Sequence, residues 1–267
     1  MKKLLFLAAI VTITVTSFAQ DSTTIKRSGK QDKRREKREK TNTMIRQDEE
    51  GILNYHKQNI FGIQLRTMGY GLLYEIGRMK TTRRTTTYSI ELSEIKHPKE
   101  DKLPKGTFTF GNPYIYGKVN NFYQLKLGIG QQYILGEKGN KNGVSVSAVG
   151  AVGISVGFLR PYYLEVQDQA GNVQTIKWEQ DSTLFEHGAI VGGGGLGKGW
   201  GELKIRPGVY GKAGLRFDYG RFNEIVSALE VGVSAENYFQ EVPIMLHQSD
   251  KRFFFQGYVA LEFGKRK

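Results

Sequence analysis

The stretch KIRPGVYGKAGLRFDY, residues 204–219, sorts its side chains by parity. Ile205, Pro207, Val209, Gly211, Ala213, Leu215, Phe217 and Tyr219 form one set. Lys204, Arg206, Gly208, Tyr210, Lys212, Gly214, Arg216 and Asp218 form the other, and it holds every charge. Successive side chains of a β-strand point to opposite faces, so this is a strand with one apolar and one polar surface.

The same division recurs on both sides of it. Tyr123, Leu125, Leu127 and Ile129 oppose Gln124, Lys126, Gly128 and Gly130. Val144, Val146, Ala148, Val152, Ile154, Val156 and Phe158 alternate with Ser145, Ser147, Gly153, Ser155 and Gly157. Phe253, Phe255, Val259, Leu261 and Phe263 stand against Gln256, Tyr258 and Glu262. The alternation predicts eight strands, near residues 58–67, 69–79, 86–96, 120–135, 143–160, 203–219, 225–238 and 251–264.

Alternation does not say which face is inside. A soluble barrel would turn the apolar face inward around a ligand; a membrane barrel turns it toward lipid. Three features favour lipid. The strands reach the roughly 9–11 residues that a tilted membrane strand needs, and their apolar faces are nearly free of charge. Aromatic residues crowd the strand ends: Phe158, Tyr162, Tyr163, Phe239 and Phe253 at one rim, and Tyr133, Phe217, Tyr219, Phe222 and Phe263 at the other. The connections also alternate in length. MKTTRRT, LGEKGNKN and GRFNE are short, whereas those after the third, fifth and seventh strands are long, the fifth running over about 161–202. The expected fold is all-β: an eight-stranded antiparallel transmembrane β-barrel preceded by a disordered or helical basic arm. Pro207 is awkward in a closed ladder, and its place near the mouth suggests that pairing loosens there.

The N-terminal part reads differently. MKK, an apolar run from Leu4 to Val15, and Ser17-Phe18-Ala19 make residues 1–19 a secretory signal peptide. The run is short of the roughly 20 residues of a spanning helix. There is no Cys, which excludes a lipid-modified cysteine and disulfides. The chain carries 39 Lys and Arg against 26 Asp and Glu, a net +13. Between Lys26 and Arg46 there are ten basic and three acidic residues, so +7 of that excess lies in this segment. Without an apolar face it is a tether, and we expect a basic periplasmic arm over residues 20–56 and the barrel over 57–267. The arm is a solvated linker or a grip on an anionic periplasmic partner, whether protein, cell wall or membrane surface, and Lys26, Arg27, Lys33, Arg34, Arg35, Lys37 and Arg38 are its candidate contacts. Export argues against nucleic acid and nucleotide as partners, leaving outer-membrane lipid and lipopolysaccharide.

Eight strands leave an interior just wide enough for side chains. The polar face places Glu75, Glu91, Lys126, Arg206, Lys212, Arg216, Glu230, Glu236 and Glu262 there. Charges of both signs in so narrow a lumen must pair, so the barrel is expected to be plugged rather than to carry an ion-selective ring.

Three apparent motifs lose force in context. Gly192-x-x-x-x-Gly197-Lys198 lacks the Ser or Thr of a phosphate loop and leads into a strand, not a helix; it reads as a mobile loop segment. Gly153-Ile154-Ser155-Val156-Gly157 fits the nucleophile elbow, but Ser155 lies mid-strand. His97, His187 and His247 fall in the long connections near Glu100, Glu186 and Asp250 without ligand spacing. No cofactor, metal or catalytic residue is expected.

IELSEIKHPKE (90–100), YGKVNNFYQLKLGIGQQY (116–133), GISVGFLRPYYLEV (153–166) and ELKIRPGVYGKAGLRFDYG (202–220) together resemble the small outer-membrane β-barrel proteins of Bacteroidota, with OmpA-like or OmpX-like barrels. The resemblance covers roughly 57–264. It implies the barrel architecture, transfers no catalytic residue, and suggests accessory roles in secretion or envelope assembly. The basic arm and the GKRK tail depart from minimal barrels. The expected function is non-enzymatic: structural, assembly-accessory or surface-interactive. The rival readings are a surface enzyme acting on lipid or lipopolysaccharide, and a narrow channel or small-solute transporter.

Overall fold

The computed structural model describes residues 33–39, 42, 55–103, 113–139, 143–168, 170–195, 197–220 and 224–267. Residues 1–50 and 51–267 form separate units. In the first, 33–39 is helical and exposed.

The described residues of the second unit form thirteen strands: β1 (Lys57–Arg66), β2 (Gly69–Thr81), β3 (Arg84–Ile95), β4 (Lys102–Leu103), β5 (Tyr114–Ile115), β6 (Asn120–Gly136), β7 (Ser145–Pro161), β8 (Tyr163–Gln167), β9 (Val173–Lys177), β10 (Ala189–Gly193), β11 (Lys204–Asp218), β12 (Ile225–Val242) and β13 (Lys251–Arg266). Eight of them form a closed ring in the order β1-β13-β12-β11-β7-β6-β3-β2. All eight ladders are antiparallel, and β1 meets β13 through Gln58↔Arg266, Phe61↔Phe263 and Arg66↔Tyr258. The ring strands follow the eight expected spans to within a few residues, with β12 running on to Val242. Pro207 pairs with Val156 on β7 but stands one residue outside the β11–β12 ladder, which begins at Gly208, so no bond is lost on that side.

Burial alternates along every ring strand with the polar set inside; β1 reads exposed-buried over its whole length. On the outside Phe61, Ile63 and Leu65 of β1, Tyr88, Ile90 and Leu92 of β3, and Phe255, Val259 and Leu261 of β13 are exposed. They belong to a belt that surrounds the barrel, bounded toward the short connections by Lys57, Arg78, Arg84 and Lys265 and toward the long ones by Glu94, Arg160 and Glu241. A soluble surface rarely exposes a contiguous apolar patch beyond a few hundred Å², and a girdling belt is stable against hydrocarbon. No helix among the described residues is long and apolar enough to span a membrane.

The rims hold most of the expected aromatic residues. Phe239 and Phe253 are exposed at the long-connection end, and Tyr133, Tyr219 and Phe263 at the other. Tyr162 and Tyr163 depart from that expectation: their hydroxyls serve the loops, Tyr162 accepting from the Ile115 amide at 3.1 Å and Tyr163 donating to Glu202 at 2.7 Å. Phe222 lies outside the described residues.

The fifth connection is not a plain loop. β8, β9 and β10 make a three-stranded sheet in the order β10-β8-β9, and the helix Ser182–His187 packs on it. Leu164, Val166, Ile176 and Phe185 are buried together, with Trp178 and Tyr162 against them. This corrects the expectation of a mobile glycine-rich segment, because 189–193 is strand β10 of that sheet. Five-residue strands are too short to show a period against the surrounding loop sequence. Beyond them, Gly199 has φ 86°, and a Cβ there would stand 2.9 Å from the Pro161 carbonyl oxygen, so only glycine makes this bend.

Candidate functional site

The lumen is filled by a ladder of ion pairs, set by the inward parity of seven of the eight ring strands. Toward the long connections, Glu236 on β12 receives Arg66 of β1 and Lys126 of β6, each at 2.5 Å. Next, Lys212 on β11 donates to Glu91 of β3 at 2.6 Å and lies 3.7 Å from Glu230. Then Arg216 meets three carboxylates, Glu75 at 2.9 Å, Glu230 at 2.8 Å and Glu262 at 2.7 Å. At the short-connection end Arg266 pairs with Asp218 at 2.7 Å, with Lys138 at 3.6 Å from the same carboxylate. Lys126, Glu230, Glu236 and Glu262 are fully buried, at 0% exposure.

Neutral groups complete the packing. Tyr258 donates to Glu230 at 2.7 Å, and Gln58 donates to Gln132 at 2.9 Å. Tyr210 leans across β7 to β6: a Cβ on Gly128 would lie 2.0 Å from its hydroxyl oxygen, so glycine leaves the ring its place. Aromatic and aliphatic side chains cover the long-connection end of the ladder and fill space beside its lower rungs. Phe122, Tyr238 and Phe254 pack with Ile95, Leu159 and Val242 toward the long connections. Ile60, Val226 and Ala228, and separately Leu73, Tyr258 and Ala260, cluster in the lower half.

Eight of the nine expected lumen charges therefore pair inside the barrel in two adjoining clusters, Lys126 with Glu236 (and Arg66), and Glu75, Glu91, Lys212, Arg216, Glu230 and Glu262 with one another. Arg206 does not join them. It is half-buried at the mouth, donating to Gln240 Oε1 at 2.6 Å and to the Glu241 carbonyl oxygen at 3.1 Å. The reason is the aromatic lid: Tyr238, opposite Gly208 on the neighbouring strand, closes the lumen one step below Arg206. Sequence reading missed Arg66, Asp218 and Arg266 as lumen partners. Their signal was parity, since Arg66 is in phase with Gln58 and Gln64, and Arg266 with Glu262.

Of the arm residues, Lys33, Arg34, Arg35, Lys37 and Arg38 lie on the exposed helical segment 33–39. Lys26, Arg27 and the expected signal peptide 1–19 lie outside the described residues.

The remaining motifs resolve into structural contacts. Ser155 is buried in the lumen with its Oγ 2.8 Å from the Tyr238 hydroxyl, on an unbroken strand with no histidine beside it. Lys198 donates to Thr175 Oγ1 at 2.9 Å, a contact from its loop to strand β9. His247 pairs with Glu186 across two connections, with φ 55° at His247. The Glu100 carboxylate accepts from the His97 amide at 3.0 Å and from Lys118 at 2.7 Å. Burial pushes the Lys118 ammonium below its ordinary range despite that carboxylate. Burial, followed by the nearby Lys251 charge, also lowers His97. Among the described residues no three His, Cys, Asp or Glu side chains converge as a metal site would require.

No family model and no curated protein matches the chain. Similar folds occur among solved structures at low identity. The attachment invasion locus protein Ail of Yersinia pestis aligns with a TM-score of 0.39 at 9% identity, over 80% of this chain and 100% of that one. A major outer membrane protein from Thermus thermophilus gives 0.38 at 11%, over 79% and 99%. The N-terminal β-barrel domain of Pseudomonas aeruginosa OprF gives 0.35 at 8%, over 79% and 98%.

Proposed function

We propose that the protein is an exported, non-enzymatic outer-membrane barrel whose role is structural or interactive, in envelope assembly, secretion or surface contact. In this reading residues 1–19 are removed on export, 20–56 form a basic periplasmic arm and 57–267 form the barrel, with the long connections outside the cell. The observation that carries it is a lipid-compatible belt around a lumen filled with paired charge. Such an interior offers neither a water path nor a substrate cleft, which speaks against the transporter and enzyme readings. The dispersed settings of Ser155, His97, His187 and His247 argue the same way against surface catalysis.

The arm's role follows from its charge. Its cations form a site for an anionic periplasmic surface or an acidic protein, with affinity that falls as salt screens it. The test has two arms. Membranes extracted in detergent are run on gels with and without boiling, and the folded barrel is expected to change mobility on heating. Crosslinking in cells with the full chain, and with residues 21–50 deleted, then identifies what the arm holds. Recovery in the soluble periplasm overturns the barrel reading; identical crosslinks from both chains overturn the arm's role.

A further inference from the structure

Outside the barrel, under the long connections, lies a cavity of about 1100 Å³. Its floor is the outer face of β2, β3, β6 and β7. A row of paired residues crosses it, Tyr70↔Glu94↔Tyr123↔Phe158, with Leu72↔Leu92 one step lower. These apolar residues continue without a break into the lipid-facing belt. The roof is made by the β4–β5 pair and by the segment leading into β11, with Lys102, Pro113, Ile115, Tyr162 and Trp200 lining it.

The two walls differ in chemistry. Lys96, Lys102, Lys118 and Arg160 reach the groove, against the carboxylates of Glu94 and Glu100. The Lys118–Glu100 pair is internally satisfied at 2.7 Å, and Glu94 accepts from the Tyr70 hydroxyl at 2.5 Å. Lys96 lies 4.8 Å above the Tyr70 ring and Lys102 is exposed. Tyr123 and Trp200 stack at 5.6 Å with the Arg160 guanidinium 4.8 Å from the indole, which makes a flat, cationic surface at the level where headgroups lie.

From this geometry we infer that the groove binds one phosphorylated glycolipid of the leaflet on the long-connection side. The acyl chains run down the floor past Leu72 and Leu92. The phosphate meets Lys96 and Lys102, and the sugar rings lie against Trp200 and Tyr162. Charge complementarity selects an anion, since four cations face two carboxylates. Continuity with the belt selects a lipid over a soluble solute, and the aromatic faces favour a sugar head over a bare glycerophosphate. A cavity of this size suits a large ligand. The inference rests on the membrane-barrel reading above.

The test is native mass spectrometry of the full chain in non-ionic detergent, titrated with bisphosphorylated lipid A, phosphatidylglycerol or phosphatidylcholine. One lipid A per chain is expected, retained at concentrations where phosphatidylcholine is lost and not displaced by equimolar phosphatidylglycerol. The pair K96Q/K102Q should weaken retention about tenfold or more, as loss of charge-assisted phosphate contacts does. The control K80Q/R83Q removes the same charge from the opposite rim and should leave retention unchanged. Equal loss from both variants, lipid A retained no better than phosphatidylcholine, or displacement by phosphatidylglycerol each overturns the site. Gel mobility before boiling separates the two levels. A chain that shows the folded mobility but retains no lipid A sinks the site alone, whereas a chain that never folds in detergent sinks the barrel with it.

Discussion

Arg216 gathers three carboxylates, and no other charge among the described lumen residues has as many oppositely charged partners within 3 Å. Deleting one member of a buried ionic cluster costs more than the cluster contributes, because the carboxylates left behind stay buried without compensation. R216L should therefore destabilise the barrel by about 3–5 kcal/mol, lowering the urea midpoint of the heat-sensitive gel shift; the triple exchange R216L/E75Q/E262Q, which removes charge of both signs, should recover a large part of that loss. An R216L midpoint equal to the parent would mean that the cluster contributes nothing. Most of these charges could be read from parity alone, because Glu75, Glu91 and Glu230 each occupy the polar phase of a strand whose other phase carries charge only toward the strand ends, such as Arg78 and Glu94. Their partners could not. Which cation faces which carboxylate depends on the stagger between strands, and that is set by ring closure between residues far apart in sequence. Arg206 shows the limit from the other side: its parity is inward, but the height of the aromatic lid, a property of β12 and β13, decides that it stops at the mouth.

At the level of elements, a one-residue slip of any ring strand would turn its charges to lipid and its aliphatic residues to the lumen, so the two-phase pattern specifies register as well as fold. The ring strands were readable because ten or more residues of strict alternation have no helical counterpart. The β8–β10 sheet was not readable, since each strand is five residues long and its core draws on a helix residue, Phe185, from a different period. That core belongs to the connection alone. Phe185→Ala should remove about 3–5 kcal/mol of local packing and open residues 163–193 to protease while the barrel keeps its unboiled mobility. Loss of the gel shift in F185A would show that the small sheet and the barrel stand or fall together.

The molecule as a whole joins an apolar exterior to an interior that is saturated with its own charges and lidded by aromatic rings. A lumen in which each cation already faces a carboxylate has no low-energy path for a hydrated ion. Planar bilayers containing the purified chain should show no unitary current steps, and regular steps would revive the channel reading. The ring also has a seam. β1 and β13 are joined by a ladder between residues such as Phe61 and Phe263, and the Thr67 amide donates to Gly257 O at 3.0 Å across a separation that spans almost the whole barrel sequence. Until β13 has been delivered, the free edge of β1 has no partner, and an open edge cannot rest in hydrocarbon. Insertion must then wait on the final strand, so synthesis order sets a clock: a chain stalled before residue 251 is a half-made sheet with two adhesive borders, prone to pair with its neighbours unless a chaperone occupies them.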